Sequence, residues 1–294
     1  MRLRRSRASR GARPGTRGQS KEDYTQRFSE RATDYARYRP SYPPSLIKEL
    51  EAEVGLEKSW KIADIGSGTG ILSELFLKNG NSVFCVEPNS QMRSLAEARL
   101  GGLPGFVSIV GRAEATTLPS HSVDLVVVGQ ALHWFDVPRA RAEFERILRN
   151  PDNICIVFNN RRKNRPAERG YSALIRKYTG AEARRVPGFE DSVARFFGSR
   201  KPRRIVMPNS QTLTARGVIG RLASSSYMPQ RGSGRWKSLE RDARKFVGEH
   251  GGRVTIGYYT EAYLPRVRRI GGESEKSVGK NTRSTTRGRS ATSS

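Results

Sequence analysis

The sequence predicts an α/β fold, a parallel sheet with helices on both faces. Three observations carry that prediction. From residue 61 onward, short apolar runs alternate with helix-like stretches, the pattern of successive βαβ units. Val123-Asp-Leu-Val-Val-Val128 is a nearly continuous apolar run, as a strand buried on both faces requires. Finally, Trp60–Gly70 reads as strand, tight glycine turn and helix start, with Gly66, Gly68 and Gly70 at alternate positions after Asp64. Glycine permits backbone conformations a Cβ forbids and lets a ligand lie against the main chain, and the helix start offers free N–H groups.

In chain order, residues 1–20 hold seven Arg and no acid and show no large apolar periodicity, so they are expected to form a disordered basic tail. Tyr24, Phe28, Tyr35 and Tyr38 space an amphipathic helix over 22–38, which Pro40, Pro43 and Pro44 end. Ser45 reads as the N-cap of a helix from Leu46 to Val54. Strands are expected at Lys61–Ile65, Ser82–Val86, Val107–Val110, Val123–Val128 and Ile154–Phe158. The helices between them are Ile71–Lys78, Asn89–Leu100 and Arg139–Arg149. Residues 161–204 read as a basic helical insert. A strand near 205–207, helices over 214–225 and 239–250, and a strand over 253–264 follow, with Gly251-Gly252 stopping the last helix. Residues 265–294 are expected to be a second disordered basic tail, leaving one domain over 21–264.

Composition narrows the chemistry. Of 294 residues, 54 are Lys or Arg and 28 Asp or Glu, a net charge of +26. That charge invites nucleic acid, because clustered cations attract phosphate, but neither tail interleaves the aromatics that would stack bases. Cys85 and Cys155 lie in strand-like runs without metal-ligand spacing, so they are expected as free core thiols of a reducing cytoplasm, and no metal is expected. No stretch reaches the ~20 apolar residues of a membrane helix, nor does the N-terminus carry the apolar run of a signal peptide.

The glycine spacing selects the cofactor. A dinucleotide fingerprint is GxGxxG, whereas this turn is GxGxG with Asp64 two residues ahead of it. A carboxylate there repels a pyrophosphate and welcomes a cofactor bearing an amine and a sulfonium, which points to S-adenosylmethionine. Asp64, Gly66, Ser67, Gly68 and Gly70 are the expected contacts. Glu87 ends the second strand, placed to accept both ribose hydroxyls, and Pro88 turns the chain beyond it. Arg112, Ala113 and Glu114, after the third strand, are expected beside the adenine. The segment after the fourth strand lies where ligands bind in open α/β sheets, so Gln130 and Ala131 are expected at the cofactor and His133, Trp134 and Phe135 at the substrate pocket.

These stretches together with Arg27–Pro40 make the chain resemble a class I S-adenosylmethionine-dependent methyltransferase, similar to the small-molecule enzymes of the trans-aconitate and ubiquinone-biosynthesis type. The resemblance covers about 22–264. It implies a Rossmann-like seven-stranded sheet whose last strand is antiparallel. The turn Arg149–Asn153 departs from the family's Pro-Gly-Gly type, and the Arg-rich tails have no family counterpart. The Asn/Asp-Pro-Pro-aromatic motif of nucleic-acid amino-methyltransferases is absent, as is a Pro-Cys nucleophile.

The expected activity is therefore methyl transfer to a small molecule, a carboxylate or hydroxyl, by a cytoplasmic monomer or homodimer. His133 is the candidate base, against a packed loop histidine; Tyr35 and Tyr38 close over the cofactor or simply pack. Arg161 and Arg162 read either as a clamp on an acidic substrate or as a solvated basic face. The alternatives are an RNA- or protein-directed methyltransferase that binds phosphate through its tails, and a fold that binds cofactor without turnover.

Overall fold

The computed structural model describes residues 31–179, 189–225 and 227–266. The two expected tails therefore lie outside the described residues, apart from Pro265 and Arg266, as does the first part of the expected 22–38 helix. Seven strands form one sheet in the order β3-β2-β1-β4-β5-β7-β6. They are β1 (Lys61–Ile65), β2 (Ser82–Val86), β3 (Phe106–Ile109), β4 (Leu125–Gly129), β5 (Ile154–Arg161), β6 (Arg203–Thr214) and β7 (Arg253–Leu264). The pairs β1–β2, β1–β4, β2–β3 and β4–β5 are parallel, and β7 runs antiparallel to both β5 and β6. The expected antiparallel last strand is present.

Nine helices are described: α1 (Ala32–Tyr38), α2 (Ser45–Val54), α3 (Ile71–Asn79), α4 (Ser90–Leu100), α5 (Val137–Ile147), α6 (Pro166–Tyr178), α7 (Phe189–Phe197), α8 (Ala215–Ala223) and α9 (Gly234–Gly248). The period-two alternation of the strands sorts their side chains onto two faces. Ala63, Ile65, Val126, Val128 and Ile156 join Phe144 of α5 and Phe196 of α7. Ile62, Val83, Leu125 and Val127 join Leu46 and Leu50 of α2 and Phe76 of α3. A third core of Tyr171, Leu222, Trp236, Leu239, Ile256 and Tyr258 packs α6, α8 and α9 against β6 and β7.

Some boundaries differ from the sequence expectation. Pro44, not Ser45, caps α2, and no side-chain cap bond forms. β6 runs for 12 residues where three were expected. Pro208 and Asn209 hid it, but β6 pairs only with β7, and proline is tolerated on an edge strand. α9 begins at Gly234, where Ser233 Oγ accepts from the Trp236 N–H, five residues before the apolar face the sequence shows. The described residues of the basic 161–204 stretch form the end of β5, α6, α7 and the start of β6, and residues 180–188 of the expected insert lie outside the described residues.

Candidate active site

The glycine turn joins β1 to α3 at the carboxyl end of the sheet. Gly66, Gly68 and Gly70 all have left-handed backbones, at φ of 68°, 57° and 76°. The turn is latched to β2, because the N–H groups of Gly66 and Ser67 both donate to the Val86 carbonyl, at 2.9 and 3.2 Å. Space separates the three glycines. A Cβ on Gly66 would lie 2.9 Å from Ala131 Cβ, and one on Gly70 would lie 2.4 Å from Leu100 Cδ1. At Gly68 the nearest atom is Met92 Sδ, at 3.6 Å. Gly66 and Gly70 thus serve packing as well as the turn, while the space over Gly68 is open.

Asp64 is 1% exposed, its side chain turned to α3 by the strand alternation. One oxygen accepts from Ser73 Oγ at 2.6 Å, and Ser73 in turn accepts from Cys85 Sγ. The other oxygen, Oδ1, is buried without a hydrogen-bond partner, as are Ser67 Oγ and Thr69 Oγ1 in the same turn. Burial pushes the Asp64 carboxyl up to about 7 against the Ser73 hydrogen bond, and the nearby Glu87 charge adds to the rise. Glu87 is also buried, and burial raises its carboxyl too. Its Oε2 accepts from the Gly68 N–H and its Oε1 from the Asn89 N–H, both at 2.9 Å, which leaves each oxygen a further lone pair. Pro88 is exposed beside it.

After β3, Arg112 and Ala115 exchange backbone hydrogen bonds in a narrow loop that buries Ala113 and exposes Arg112. Glu114 Oε1 accepts from the Asp136 N–H at 2.7 Å, joining this loop to the segment after β4. That segment starts with Gln130, a non-glycine residue at φ 58° whose Nε2 donates to the Asn159 carbonyl. Leu132–Trp134 then forms a single 3-10 turn. Phe135 folds back on Gly66 and meets Phe144 edge-on, so it belongs partly to the core. The His133 ring lies 4.7 Å from the Trp134 ring, and its Nδ1 is buried without a partner. Burial, helped by the Arg39 charge, pushes His133 down to about 4, so the ring is neutral at neutral pH.

Tyr38 packs on α8, its ring occupying the space a Cβ at Gly220 would need, at 2.2 Å. Arg39 stacks on Tyr35 with its guanidinium 4.5 Å from the ring centre. Arg162 sits beside Glu168 at 3.9 Å, while Arg161 lies over Tyr171. The two arginines, read together from the sequence, therefore have different surroundings. Tyr42, Thr69, Arg39 and Arg221 were not singled out as site residues. Tyr42 Oη would touch a Cβ at Gly129, the last residue of β4, yet in the sequence it looked like part of a proline-rich break. Thr69 sat unremarked inside the glycine motif. Among the described residues no group of three or more His, Cys, Asp and Glu is placed to hold a metal, and no helix is long and apolar enough to cross a membrane.

Residues 63–156, from β1 to β5, match a family model described as a methyltransferase domain. Those residues are therefore similar to a methyltransferase domain over about a third of the chain. An uncharacterized methyltransferase of Mycobacterium tuberculosis is 36% identical over 142 residues, 48% of this chain and 56% of that protein. A probable S-adenosylmethionine-dependent methyltransferase of Saccharomyces cerevisiae is 32% identical over 130 residues, 42% of this chain and 44% of that protein. The chain thus spans about half the length of the curated relatives it matches. The solved structure of a putative type II methyltransferase from Anaeromyxobacter dehalogenans superposes with a TM-score of 0.58 at 22% identity, covering 78% of this chain and 98% of that one. That likeness concerns the fold. The residues of the turn fit the cofactor: an unpartnered buried carboxylate oxygen suits an amine, open space lies over Gly68, and Glu87 keeps lone pairs free for hydroxyls.

Proposed function

We propose that this protein transfers a methyl group from S-adenosylmethionine to a small-molecule acceptor. The observation that carries the reading is the unpartnered, buried Oδ1 of Asp64 beside the open backbone of Gly68. A buried carboxylate oxygen without a donor is costly, and an ammonium group relieves that cost. The cofactor supplies an activated methyl group on a sulfonium. Asp64 accepts from its amine, Glu87 holds its ribose hydroxyls, and Gly66, Ser67, Gly68 and Gly70 form the floor beneath it. Pro88, the Arg112-Ala113-Glu114 loop, Gln130 and Ala131 flank the adenosine.

On the acceptor side, Tyr35, Tyr38, His133, Trp134 and Phe135 exclude water and fix orientation, which is most of what transfer from an activated donor needs. His133, neutral and pushed down to about 4, is a weak base, so its role in this reading is to accept a hydrogen bond and position the acceptor. The α6–α8–α9 layer with its own core, and α1 docked on α8, support a small acceptor over a macromolecule.

Calorimetric titration with S-adenosylmethionine, followed by labelled-methyl transfer to a cell extract separated into small molecules, RNA and protein, tests the reading. Label in the small-molecule fraction is the expected result. Label in RNA or protein that disappears on removal of residues 1–20 and 271–294 would establish the tail-dependent alternative. Binding with no label in any fraction would establish a cofactor-binding fold without turnover.

A further inference from the structure

Beyond the cofactor turn, the structure gathers three arginines from distant parts of the chain. Arg39 follows α1, Arg161 ends β5, and Arg221 lies on α8 and is only 9% exposed. Arg39 Nη2 donates to the Ser224 carbonyl at 3.0 Å, and Arg221 Nη1 to Ser224 Oγ at 3.3 Å. Arg161 has its guanidinium 5.2 Å from the Tyr171 ring centre. In all three, Nε is buried without a hydrogen-bond partner, as is His133 Nδ1, while the Tyr258 hydroxyl lies beside Arg221.

The acids on the same elements are committed elsewhere. Asp34 of α1 pairs with Arg231 at 2.7 Å, Glu168 of α6 with Arg162 at 3.9 Å, and Glu261 of β7 with Arg204 at 2.8 Å. β5 and α8 contain no acid. After burial, the Arg221 charge is the largest influence holding Arg39 below its usual value, whereas Arg221 itself is raised against its burial by Tyr171, Tyr258 and Tyr227. The cluster lies toward the carboxyl end of β4: Arg39 acts on His133 and on Tyr42, and Tyr42 Oη lies against Gly129, the last residue of that strand. Unpaired guanidinium groups removed from water are strongly unfavourable unless an anion completes them. Forked guanidinium donors with a tyrosine hydroxyl suit carboxylate or phosphate oxygens.

We propose that the acceptor is a compact small-molecule anion whose carboxylate or phosphate oxygens are held by Arg39, Arg161 and Arg221, with the Tyr258 hydroxyl beside them. This rests on the methyltransferase reading of the glycine turn and adds the acceptor's chemical class. Tyr171 backs Arg161 and Tyr35 backs Arg39, and these aromatic faces hold the guanidinium planes in place.

Thermal unfolding of the full chain in citrate or inorganic phosphate, with ionic strength matched by sodium chloride, provides the test. A saturable rise in Tm of about 5–10 °C is expected at roughly 100 times Kd. A larger saturable shift with citrate assigns polycarboxylates, and one with phosphate assigns phosphate monoesters. Arg161→Met and Arg221→Met should each weaken the anion effect on the order of 10- to 100-fold, while calorimetric affinity for S-adenosylmethionine stays within about twofold. If burial of Arg221 makes its variant unfold, Arg161→Met decides. The proposal is overturned if neither anion exceeds the chloride control, or if the shift survives in the folded variants. Failure of S-adenosylmethionine to bind the unsubstituted protein would instead remove the methyltransferase reading, which the anion shift measured without cofactor does not depend on.

Discussion

Replacing Asp64 by Asn separates the cost of the buried carboxylate from its use. Folding raises the Asp64 carboxyl from 3.8 to about 7, so between those values the folded protein holds a proton that the unfolded chain releases. The folded state is therefore favoured most below 3.8, loses that advantage as pH rises through about 7, and carries the full cost of the charge above it. Three pH units at 1.36 kcal/mol each make that cost about 4 kcal/mol, an upper figure for a group that relaxation and cofactor relieve. For a domain of this size it corresponds to about 8–16 °C in Tm. Asp64→Asn leaves an oxygen for Ser73 to donate to and cannot ionise. Without cofactor, the Tm advantage of this variant over the parent should be least near pH 5, where about 2 kcal/mol of the cost is present, and grow until it levels off above about 7. With saturating S-adenosylmethionine the order should reverse, because the amine compensates the carboxylate only in the parent. Thermal melts of both proteins at pH 5 to 8, with and without cofactor, read this directly. Parallel Tm curves for the two proteins, or equal cofactor stabilisation, would refute the assignment of Oδ1 to an amine.

The other predictions use the same turn and its surroundings. Gly70→Ala combines a left-handed backbone with a collision at Leu100 and should lose about 2–4 kcal/mol in denaturant unfolding. Gly68→Ala meets no close neighbour and should lose about 1 kcal/mol, yet it should weaken cofactor binding in calorimetry more than its stability loss implies. Because His133 is already neutral above about 4, His133→Asn should leave any inflection between pH 5 and 8 in the kcat profile where it was; loss of an inflection near 6.5 would restore His133 as the base. Arg31 donates to the carbonyls of Ala223, Ser225 and Met228 at the C-terminal end of α8, so Arg31→Ala should lower unfolding free energy by about 2 kcal/mol in urea titration.

The half of the fold made of βαβ units was legible because local pattern and tertiary demand agree there. β1, β2 and β7 fall where alternation and apolar runs put them, and Asn89 caps α4 through the Met92 N–H as its residue type suggests. The long edge strand β6 was not legible, since an exposed strand needs few apolar residues and admits Pro208. The glycine turn, with Asp64 and Glu87 beside it, could be located because these residues belong to adjacent elements with fixed spacing. The arginine cluster could not. Arg39, Arg161 and Arg221 stand more than fifty residues apart in a chain of 54 Lys and Arg, and only packing distinguishes them from solvated charges.

The docking of α1 on the end of α8 also has a kinetic side. Arg31 reaches a carbonyl 194 residues further along the chain, whereas β1 pairs with β2 beginning at Lys61↔Ser82 and with β4 beginning at Ile62↔Leu125, far shorter spans. Loop closure over such a span is slow relative to local pairing, so the nucleotide half of the molecule assembles first and its roof last. In pulsed hydrogen exchange during refolding, amides of α3 and α4 should gain protection before those of α8. A nascent chain that has emerged only as far as β5 then already carries the complete glycine turn, and acquires its acceptor side when residues 215–225 arrive to meet a helix made almost at the start.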